Sequence, residues 1–193
     1  MHIKNSDKNK QKIISAAKNL FWKYGFRKVS VDEICKEAKL SKMTFYKFFP
    51  NKIELAKKIF EDLVEDGLKQ YNELMNSNLN IEQKIVKMIV LKNEVTKNIS
   101  EDFIMDFYKD TKLGLKDFIE KKTNEIQIES LKLFKKGQEE GLFRKEIKPE
   151  FYLYMYKKMS EIFFDDELSK IYTSPNEFIM EITMFFVYGV SPR

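Results

Sequence analysis

Apolar residues recur every three or four positions along most of this chain, which is the spacing of one face of an α-helix. The first stripe comprises Ile13, Ala16, Ala17, Leu20, Phe21 and Tyr24. Gly25 follows directly, and glycine favours the left-handed conformation that ends many helices. The pattern predicts a first helix over about residues 7 to 24 and, because the same spacing continues, an all-α fold.

Two short helices joined by a tight turn are predicted next. Ser30 followed by Glu33 has the form of a capping box, so a helix is expected over residues 31 to 38. Shortly afterwards Ser41 can cap another helix, which continues to about Phe48. Helices with so short a connection cross steeply, which predicts a helix-turn-helix.

Longer helices are predicted for the rest of the chain. Pro50 ends the aromatic helix, and Asn51 to Glu54 resembles a second capping box that starts a helix to about Met75. The polar stretch NSNLN, residues 76 to 80, is the clearest break. The remaining helices are expected at about residues 81 to 97, 101 to 113, 114 to 140, 149 to 173 and 175 to 190, which makes nine in all.

Composition agrees with a packed helical protein and argues against several kinds of chemistry. Of 193 residues, 43% are hydrophobic and 14% aromatic, with six Gly and four Pro. One cysteine, Cys35, and one histidine, His2, cannot form a disulfide framework or a Cys/His metal cluster, so no metal is predicted. Glycine-rich nucleotide-binding motifs and hydrolase motifs are missing, so neither a cofactor nor enzymatic activity is predicted.

The N-terminal residues MHIKNSDKNKQK are polar and lack the apolar region of a signal peptide. Later apolar runs are far shorter than the roughly 18 residues of a membrane span. The sequence therefore predicts a cytoplasmic protein with no membrane partner.

Positive charge is concentrated in the first third of the chain. Residues 1 to 58 hold 15 Lys and Arg against 5 Asp and Glu, a net +10, and because the whole chain carries +5, the remainder carries −5. Such a concentration suits a polyanionic partner. Charge alone would equally suit RNA, a membrane or a solvated surface.

The stretch from Leu40 to Leu55 has one apolar side and one polar side. Its apolar anchors are Leu40, Phe45, Phe48 and Phe49. In a helix-turn-helix the second helix enters the DNA major groove, which requires such a division. Lysines neutralise phosphates, hydroxyls donate to phosphate oxygens, and Met43 or the Thr44 methyl group could touch a thymine methyl.

The same region resembles the TetR family of bacterial transcriptional regulators. The matching run is Ser30-Val31-x-x-Ile34-Cys35-x-x-Ala38-x-Leu40-Ser41-Lys42-x-Thr44-Phe45-Tyr46-x-x-Phe49-x-x-Lys52-x-x-Leu55. It is similar to the family pattern T-x-x-I-A-x-x-A-G-V-S-x-G-T-L-Y-x-Y-F-x-x-K-E-x-L. The match is specific because it fixes many residue types in one register.

The resemblance implies a homodimer that binds a palindromic double-stranded operator and a small-molecule effector. Residues 1 to 50 would form the DNA-binding domain and residues 51 to 193 the ligand-binding and dimerisation domain, with the helix over about residues 51 to 75 as connector. The resemblance and the polar side of this stretch together predict the residues that contact DNA: Ser30, Ser41, Lys42, Met43, Thr44, Tyr46, Lys47 and Lys52. Tyr46 and Lys52 are the first candidates for phosphate contacts, Lys52 at a helix N-terminus.

Two residues depart from the family pattern. Lys39 stands where the family has a turn glycine, so it must either avoid a positive φ or bear some strain. Met43 replaces a frequent glycine, which affects base preference.

The C-terminal part contains two sets of apolar candidates, for which ordinary core is the alternative in each case. Aromatic residues could line a cavity for a hydrophobic ligand: Phe103, Phe107, Tyr108, Phe118, Phe134, Tyr152 and Tyr156. Stripes on the last two helices predict a symmetric dimer interface: Met155, Met159, Ile162, Phe163, Phe178, Ile182, Phe185 and Phe186.

The functional prediction is a sequence-specific transcriptional regulator, most simply a repressor that a small hydrophobic ligand releases from its operator. One alternative is a nucleic-acid-binding protein with little sequence preference, for which salt dependence would be steep and discrimination weak. Another is a helical small-molecule-binding or catalytic protein with an incidental basic head.

Overall fold

A computed structural model describes residues 2–106, 115–162 and 165–192. Every regular element among these residues is a helix and none is a strand, so the predicted all-α fold is confirmed. The helices are α1 (His2–Tyr24), α2 (Val31–Ala38), α3 (Lys42–Phe48), α4 (Lys52–Met75), α5 (Ile81–Thr96), α6 (Glu101–Ile104), α7 (Lys116–Glu139), α8 (Pro149–Ile162), α9 (Asp166–Ser169) and α10 (Pro175–Val190). Among the described residues, no helix combines the length and hydropathy needed to cross a membrane.

The helix predicted over residues 149 to 173 is wrong as a single element, because α8 ends at Ile162 and α9 is a separate turn. Asp165 is extended, and its side chain accepts hydrogen bonds from the backbone N–H groups of Glu167 and Leu168. This local cap starts a new helix in preference to continuing the old one. Residues 107–113 of the helix predicted after residue 101 lie outside the described residues.

The described chain divides into two compact units. Unit 1 comprises Met1–Leu63 and Ile99–Glu120, and unit 2 comprises Val64–Asn98 and Lys121–Arg193. The geometric division therefore falls within α4 and places α6 with the N-terminal helices. The predicted functional boundary at residue 50 stays a prediction.

The core of unit 1 is built from aromatic side chains of the first three helices and their connections. Phe21, Phe26 and Phe45 are almost completely buried, and the rings of Phe21 and Phe26 are 5.2 Å apart. The aliphatic residues that share this burial are Ile13, Ile34, Leu55 and Ile59. Burial of these side chains fixes α2 and α3 on α1 and orients the outer face of α3. Tyr24, expected in the first apolar stripe, is exposed, and the Lys23 ammonium lies 4.9 Å from its ring centroid.

Unit 2 has its own core around stacked rings. Phe134 is buried, with its ring centroid 3.9 Å from that of Tyr152 and 5.2 Å from that of Phe143. The other buried members are Met75, Ile85, Leu142 and Val190. These residues come from α4, α5, α10 and the segment after α7, so the core joins helices that are distant in sequence.

Candidate nucleic-acid interface

α2 begins with a complete capping box, as predicted. The Ser30 side chain accepts a hydrogen bond of 3.2 Å from the Glu33 backbone N–H. The Glu33 carboxylate in turn accepts from the Ser30 backbone N–H and hydroxyl, both at 2.7 Å. The bond from the Ser30 backbone N–H, followed by the bond from its hydroxyl, lowers the pKa of the Glu33 carboxyl. Because its hydroxyl serves this cap, a DNA contact by Ser30 would compete with these bonds.

The turn between α2 and α3 places a lysine in the left-handed conformation. Lys39 has φ 56° and ψ 46° and is the only non-glycine with positive φ among the described residues. Its N–H donates to the Lys36 carbonyl at 3.2 Å, and the Leu40 N–H donates to the Cys35 carbonyl at 2.9 Å. Lys39 thus adopts the conformation that glycine adopts without a steric penalty.

α3 is capped at its start and anchored on its inner side. The Ser41 hydroxyl accepts from the Thr44 backbone N–H at 3.1 Å and lies 2.9 Å from the Thr44 hydroxyl. Phe45 and Phe49 are buried, with ring centroids 6.1 Å apart. The cap fixes where α3 begins, and the two rings fix which side faces outward.

The outer side of α3 is exposed and chemically mixed. Met43 is 69% exposed and Tyr46 54% exposed, so α3 presents two large side chains with apolar surface to solvent. Lys47 is also exposed, and the exposed Lys42 ammonium lies 2.6 Å from Asp32 Oδ1 on α2. The structure therefore brings Lys42, Met43, Tyr46 and Lys47 together on one solvent-facing helical surface, whereas Thr44 is half-buried.

The Lys52 ammonium is bonded within the protein. Its ammonium donates to the carbonyl oxygens of Phe26 and Val29, each at 2.7 Å, and lies 3.4 Å from that of Arg27. It also lies 4.3 Å from the Phe26 ring centroid. Three carbonyl oxygens match the three N–H groups of an ammonium, and desolvation lowers the pKa of this one. The side chain ties α4 to the loop between α1 and α2, and the phosphate contact of Lys52, which stays a prediction, would compete with these bonds.

The same loop is held by two acidic residues that sequence reasoning missed, Asp102 in α6 and Asp106 just after it. Asp106 Oδ2 accepts from the Arg27 backbone N–H at 2.8 Å, and Asp102 Oδ2 accepts from the Lys28 ammonium at 2.6 Å. Gly25 has φ 81°, and a Cβ there would lie 2.7 Å from Asp106 Oδ2. The partners are more than 70 residues apart, so no local pattern in the sequence could have indicated them.

Two of the aromatic residues predicted for a ligand pocket are described in unit 1. Phe103 is buried, with its ring centroid 4.3 Å from that of Trp22, and Phe118 is half-buried, 6.0 Å from Phe60. Phe107 and Tyr108 lie outside the described residues.

Three predicted pocket residues lie in unit 2, and two of them are core. Phe134 and Tyr152 stack on each other, and burial raises the pKa of the Tyr152 phenol far above its usual value. Tyr156, one turn later, is half-buried, and its ring centroid lies 6.2 Å from that of Phe186. Of the three, Tyr156 is therefore the one at the edge of the packed rings.

The predicted dimer residues divide between the core and the surface of the protomer. Phe185 is 73% exposed, whereas Met159 and Phe178 are buried within the protomer. Met155, Ile162, Ile182 and Phe186 are half-buried, and Phe163 lies outside the described residues. The exposed apolar side chains that sequence reasoning missed on α8 and α10 are Phe151, Tyr154, Met184 and Tyr188. They follow the same three- and four-residue spacing, displaced around each helix from the predicted stripe.

Comparison with known proteins gives four likenesses. Residues 13–59 match the family model described as bacterial regulatory proteins, tetR family. The Bacillus subtilis HTH-type transcriptional regulator YhgD is 25% identical over 142 residues, which cover 72% of each chain. The structure of the fatty acid degradation regulator FadR from Bacillus halodurans aligns with a TM-score of 0.65 at 18% identity, covering 96% of this chain and 97% of that one. A TetR transcription regulator from Haloarcula marismortui aligns with a TM-score of 0.69 at 12% identity, over 96% and 100% of the two chains.

A buried aromatic scaffold that presents one polar helix is the arrangement of a helix-turn-helix, the element with which DNA-binding regulators of this kind contact DNA. The matched residues include α2, α3 and the turn between them, the elements that form the capped helix-turn-helix and the exposed surface of α3. The helix-turn-helix region of this chain, residues 13–59, is therefore similar to that of the TetR family of bacterial regulatory proteins.

Proposed function

We propose that this protein is a cytoplasmic repressor that binds a palindromic operator as a homodimer and releases it when a small hydrophobic effector binds. The observation that carries the proposal is the outer surface of α3. Met43, Tyr46 and Lys47 project from a helix whose opposite side is locked by Phe45 and Phe49. Large exposed apolar side chains beside lysines suit a DNA groove better than bulk solvent.

The residues of this surface would have separate tasks. Lys42 and Lys47 would neutralise phosphates, with Lys42 exchanging Asp32 for a phosphate oxygen. The Tyr46 hydroxyl would donate a hydrogen bond to a phosphate oxygen of the DNA backbone, and Met43 would contact a base edge such as a thymine methyl. Ser41 and Thr44 are bonded to each other, so their main contribution would be to fix the start of α3.

The dimer would form through the exposed apolar side chains of α8 and α10. Phe151 and Tyr154 on α8, and Met184, Phe185 and Tyr188 on α10, supply aromatic surface that the protomer does not bury. Exposed aromatic patches of this kind mark protein interfaces, and a two-fold axis would place two α3 helices on a palindromic site. An effector would then release DNA by preferring a dimer with different head spacing.

Selection of bound duplexes from a random library at physiological salt tests this function. We expect the wild-type protein to enrich one inverted repeat and the variant Tyr46→Ala/Lys47→Ala to lose that enrichment. The matched control is Lys23→Ala/Tyr24→Ala, an adjacent exposed lysine and tyrosine at the far end of α1. It removes the same side-chain types and the same charge, so it should retain the selected motif.

Other outcomes separate the competing functions. No enrichment by folded wild-type protein, combined with tight, steeply salt-dependent binding to random duplex, would indicate nucleic-acid binding without sequence preference. Equal loss in both double variants would show that general basic charge, and not the surface of α3, accounts for binding.

A further inference from the structure

A cleft in unit 1 lies against the connection between α3 and α4. Its volume is about 290 Å³. Its lining comes from Lys10 of α1, residues 48–50, one side of the first three turns of α4, and Phe118 of α7, all of which belong to unit 1. Because sites for drug-sized ligands have volumes of roughly 300 to 1,000 Å³, this cleft suits a smaller molecule.

Two aromatic rings give the cleft an apolar lining that is held in place from behind. Phe49 is buried, and its ring centroid lies 6.1 Å from that of the buried Phe45. Phe118 is half-buried, and its ring centroid lies 6.0 Å from that of the buried Phe60. Since each lining ring packs on a core ring, the apolar surface exists before a ligand binds, which lowers the cost of binding.

Two lysines of α4 that line the cleft are already neutralised by acidic neighbours. The Lys57 ammonium lies 2.8 Å from Glu54 Oε1 and 5.9 Å from the Phe118 ring centroid. The Lys58 ammonium lies 2.6 Å from Asp62 Oδ1. These two ion pairs therefore leave little net charge on this part of the lining.

One ammonium and one carboxylate of the lining have no charged partner. Lys10 forms no ion pair with a described residue, and its ammonium lies 5.9 Å from the Phe49 ring centroid. Glu61 of α4 likewise has neither an ion pair nor a side-chain hydrogen bond within the part of the chain that the structure describes. Both side chains are half-buried. Because they line the same cleft without pairing with each other, they present opposite charges from two helices to one small space.

We propose that this cleft binds a small zwitterion with an apolar side chain, that is, a free amino acid such as phenylalanine or leucine. The carboxylate of the amino acid pairs with Lys10, its ammonium pairs with Glu61, and its side chain packs on the rings of Phe49 and Phe118. A carboxylate without the amine leaves Glu61 unpaired, and an amine without the carboxylate leaves Lys10 unpaired. A molecule with both charges satisfies both residues.

This site goes beyond the proposed function, in which the effector is hydrophobic. Amino-acid binding here requires neither DNA nor a dimer. The cleft nevertheless touches the head, because Phe49 lines it and also packs on Phe45 of α3. An amino acid in the cleft therefore contacts a residue that orients the outer surface of α3.

Matched probes that each lack one charge test the ligand class. L-Phenylalanine is titrated by calorimetry into the whole chain without DNA, beside 2-phenylethylamine and 3-phenylpropionate, and L-leucine beside 3-methylbutylamine and 4-methylpentanoate. We expect at least one amino acid to bind about tenfold or more tightly than both of its truncated forms, as one charge-assisted hydrogen bond provides. The proposal is overturned if neither amino acid binds, or if in both series a truncated form binds as tightly as its amino acid.

Lys10→Met tests the carboxylate partner, and Lys12→Met is its control. Lys12 is exposed, and residues two apart lie on different sides of a helix, so both variants lose one charge and gain the same side chain. Lys10→Met should weaken amino-acid binding about tenfold or more and change amine binding by less than about twofold. Lys12→Met should change neither. Unchanged amino-acid affinity in Lys10→Met would overturn the role of Lys10.

Glu61→Gln tests the ammonium partner, and Glu65→Gln is its control on the same helix. Glu65 is exposed and does not line the cleft. Glu61→Gln should weaken amino-acid binding about tenfold or more without weakening the binding of the carboxylate probes, whereas Glu65→Gln should change neither beyond about twofold. Unchanged amino-acid affinity in Glu61→Gln would contradict the assignment of Glu61.

The same titrations separate a direct contact from a structural role. Because neither Lys10 nor Glu61 has an ion pair to lose, Lys10→Met and Glu61→Gln should keep the unfolding midpoint of the wild type. Equal weakening of all three probes of a series, with a lowered midpoint, would show that the side chain maintains the cleft, and would overturn its contact with the ligand. Operator affinity of the ligand-free protein is measured separately, so failure of DNA binding would count against the proposed function and not against this site.

Discussion

At the scale of single residues, two lysines depart from the roles that their type and position suggest. Lys39 occupies a left-handed turn conformation that favours glycine, and Lys52 uses its ammonium inside the protein. Both residues belong to the segment that presents α3. Lys39 through its backbone conformation and Lys52 through its ammonium therefore hold the geometry of the segment that contains α3.

Lys39→Gly should stabilise the protein. A non-glycine residue in the left-handed region bears about 1 kcal/mol of strain, part of which is offset by the greater unfolded-state entropy of glycine. We expect the free energy of unfolding to rise by about 0.5 kcal/mol, measured by urea denaturation. Lys36→Gly is the control, because the same change within α2 should lower that free energy by about 1 kcal/mol. Two changes of the same sign would contradict the strain at Lys39.

Lys52→Met should destabilise the protein, whereas Lys47→Met should not. Lys52→Met leaves the part-buried carbonyl groups of Phe26 and Val29 without their donor, at a cost of about 1–3 kcal/mol. Lys47 is exposed on α3, so its loss should change stability by less than about 0.5 kcal/mol and act on DNA affinity alone. Chemical denaturation and DNA titration of both variants decide the point. Native stability with weakened DNA binding in Lys52→Met would restore its predicted phosphate contact.

At the scale of elements, local signals located the helices well, and long-range contacts decided their faces. The box at Ser30 and the cap at Ser41 involve neighbours within three residues, so the sequence alone predicted the starts of α2 and α3. The pairing of Asp102 and Asp106 with the loop after α1 depends on the fold and has no local signal. For the same reason, periodicity identified the apolar residues of α8 and α10 but could not tell which of them are buried. Phe178 is buried within the protomer, whereas Phe185 is exposed.

Two helical glycines should respond in opposite directions to the same substitution. A Cβ at Gly137 in α7 would lie 2.4 Å from Phe143 Cδ2, and that ring stacks on Phe134 in the core. Gly137→Ala should therefore lower the free energy of unfolding by about 1–3 kcal/mol. Gly67→Ala in α4 meets no atom within 4 Å and should raise it by about 0.5–1 kcal/mol through helix propensity. Thermal and urea unfolding measure both, and a stabilising Gly137→Ala would show that Phe143 moves aside freely.

At the scale of the whole molecule, the proposed function requires two α3 helices at a fixed separation, so DNA recognition depends on the dimer. Charge and periodicity indicated a basic head and apolar C-terminal helices, and the tetR family model matches residues 13–59 in that head. They could not separate the exposed aromatic face from the ring stack around Phe134 and Tyr152, because both consist of the same residue types at helical spacing. Only the packing in the folded protomer distinguishes an aromatic side chain buried in the core from one that is left exposed.

Phe185→Asp should convert a dimer into a folded monomer. Phe185 is 73% exposed at the centre of the α10 face, next to Met184 and one turn before Tyr188, so a carboxylate there would be buried without a partner in a symmetric interface. Light scattering after size-exclusion chromatography should give twice the protomer mass for the wild type and the protomer mass for the variant. Ile171→Asp is the control, since Ile171 is 71% exposed but lies outside α8 and α10, and it should remain dimeric.

The monomeric variant also connects assembly to DNA recognition. With an intact α3, Phe185→Asp should bind an isolated half-site as the wild type does, but should lose the added affinity that two linked heads give for the inverted repeat. Fluorescence anisotropy with one-half-site and two-half-site duplexes measures both affinities. A wild-type monomer in solution would contradict the proposed homodimer. A Phe185→Asp dimer with undiminished affinity for the inverted repeat would place the interface elsewhere on the molecule.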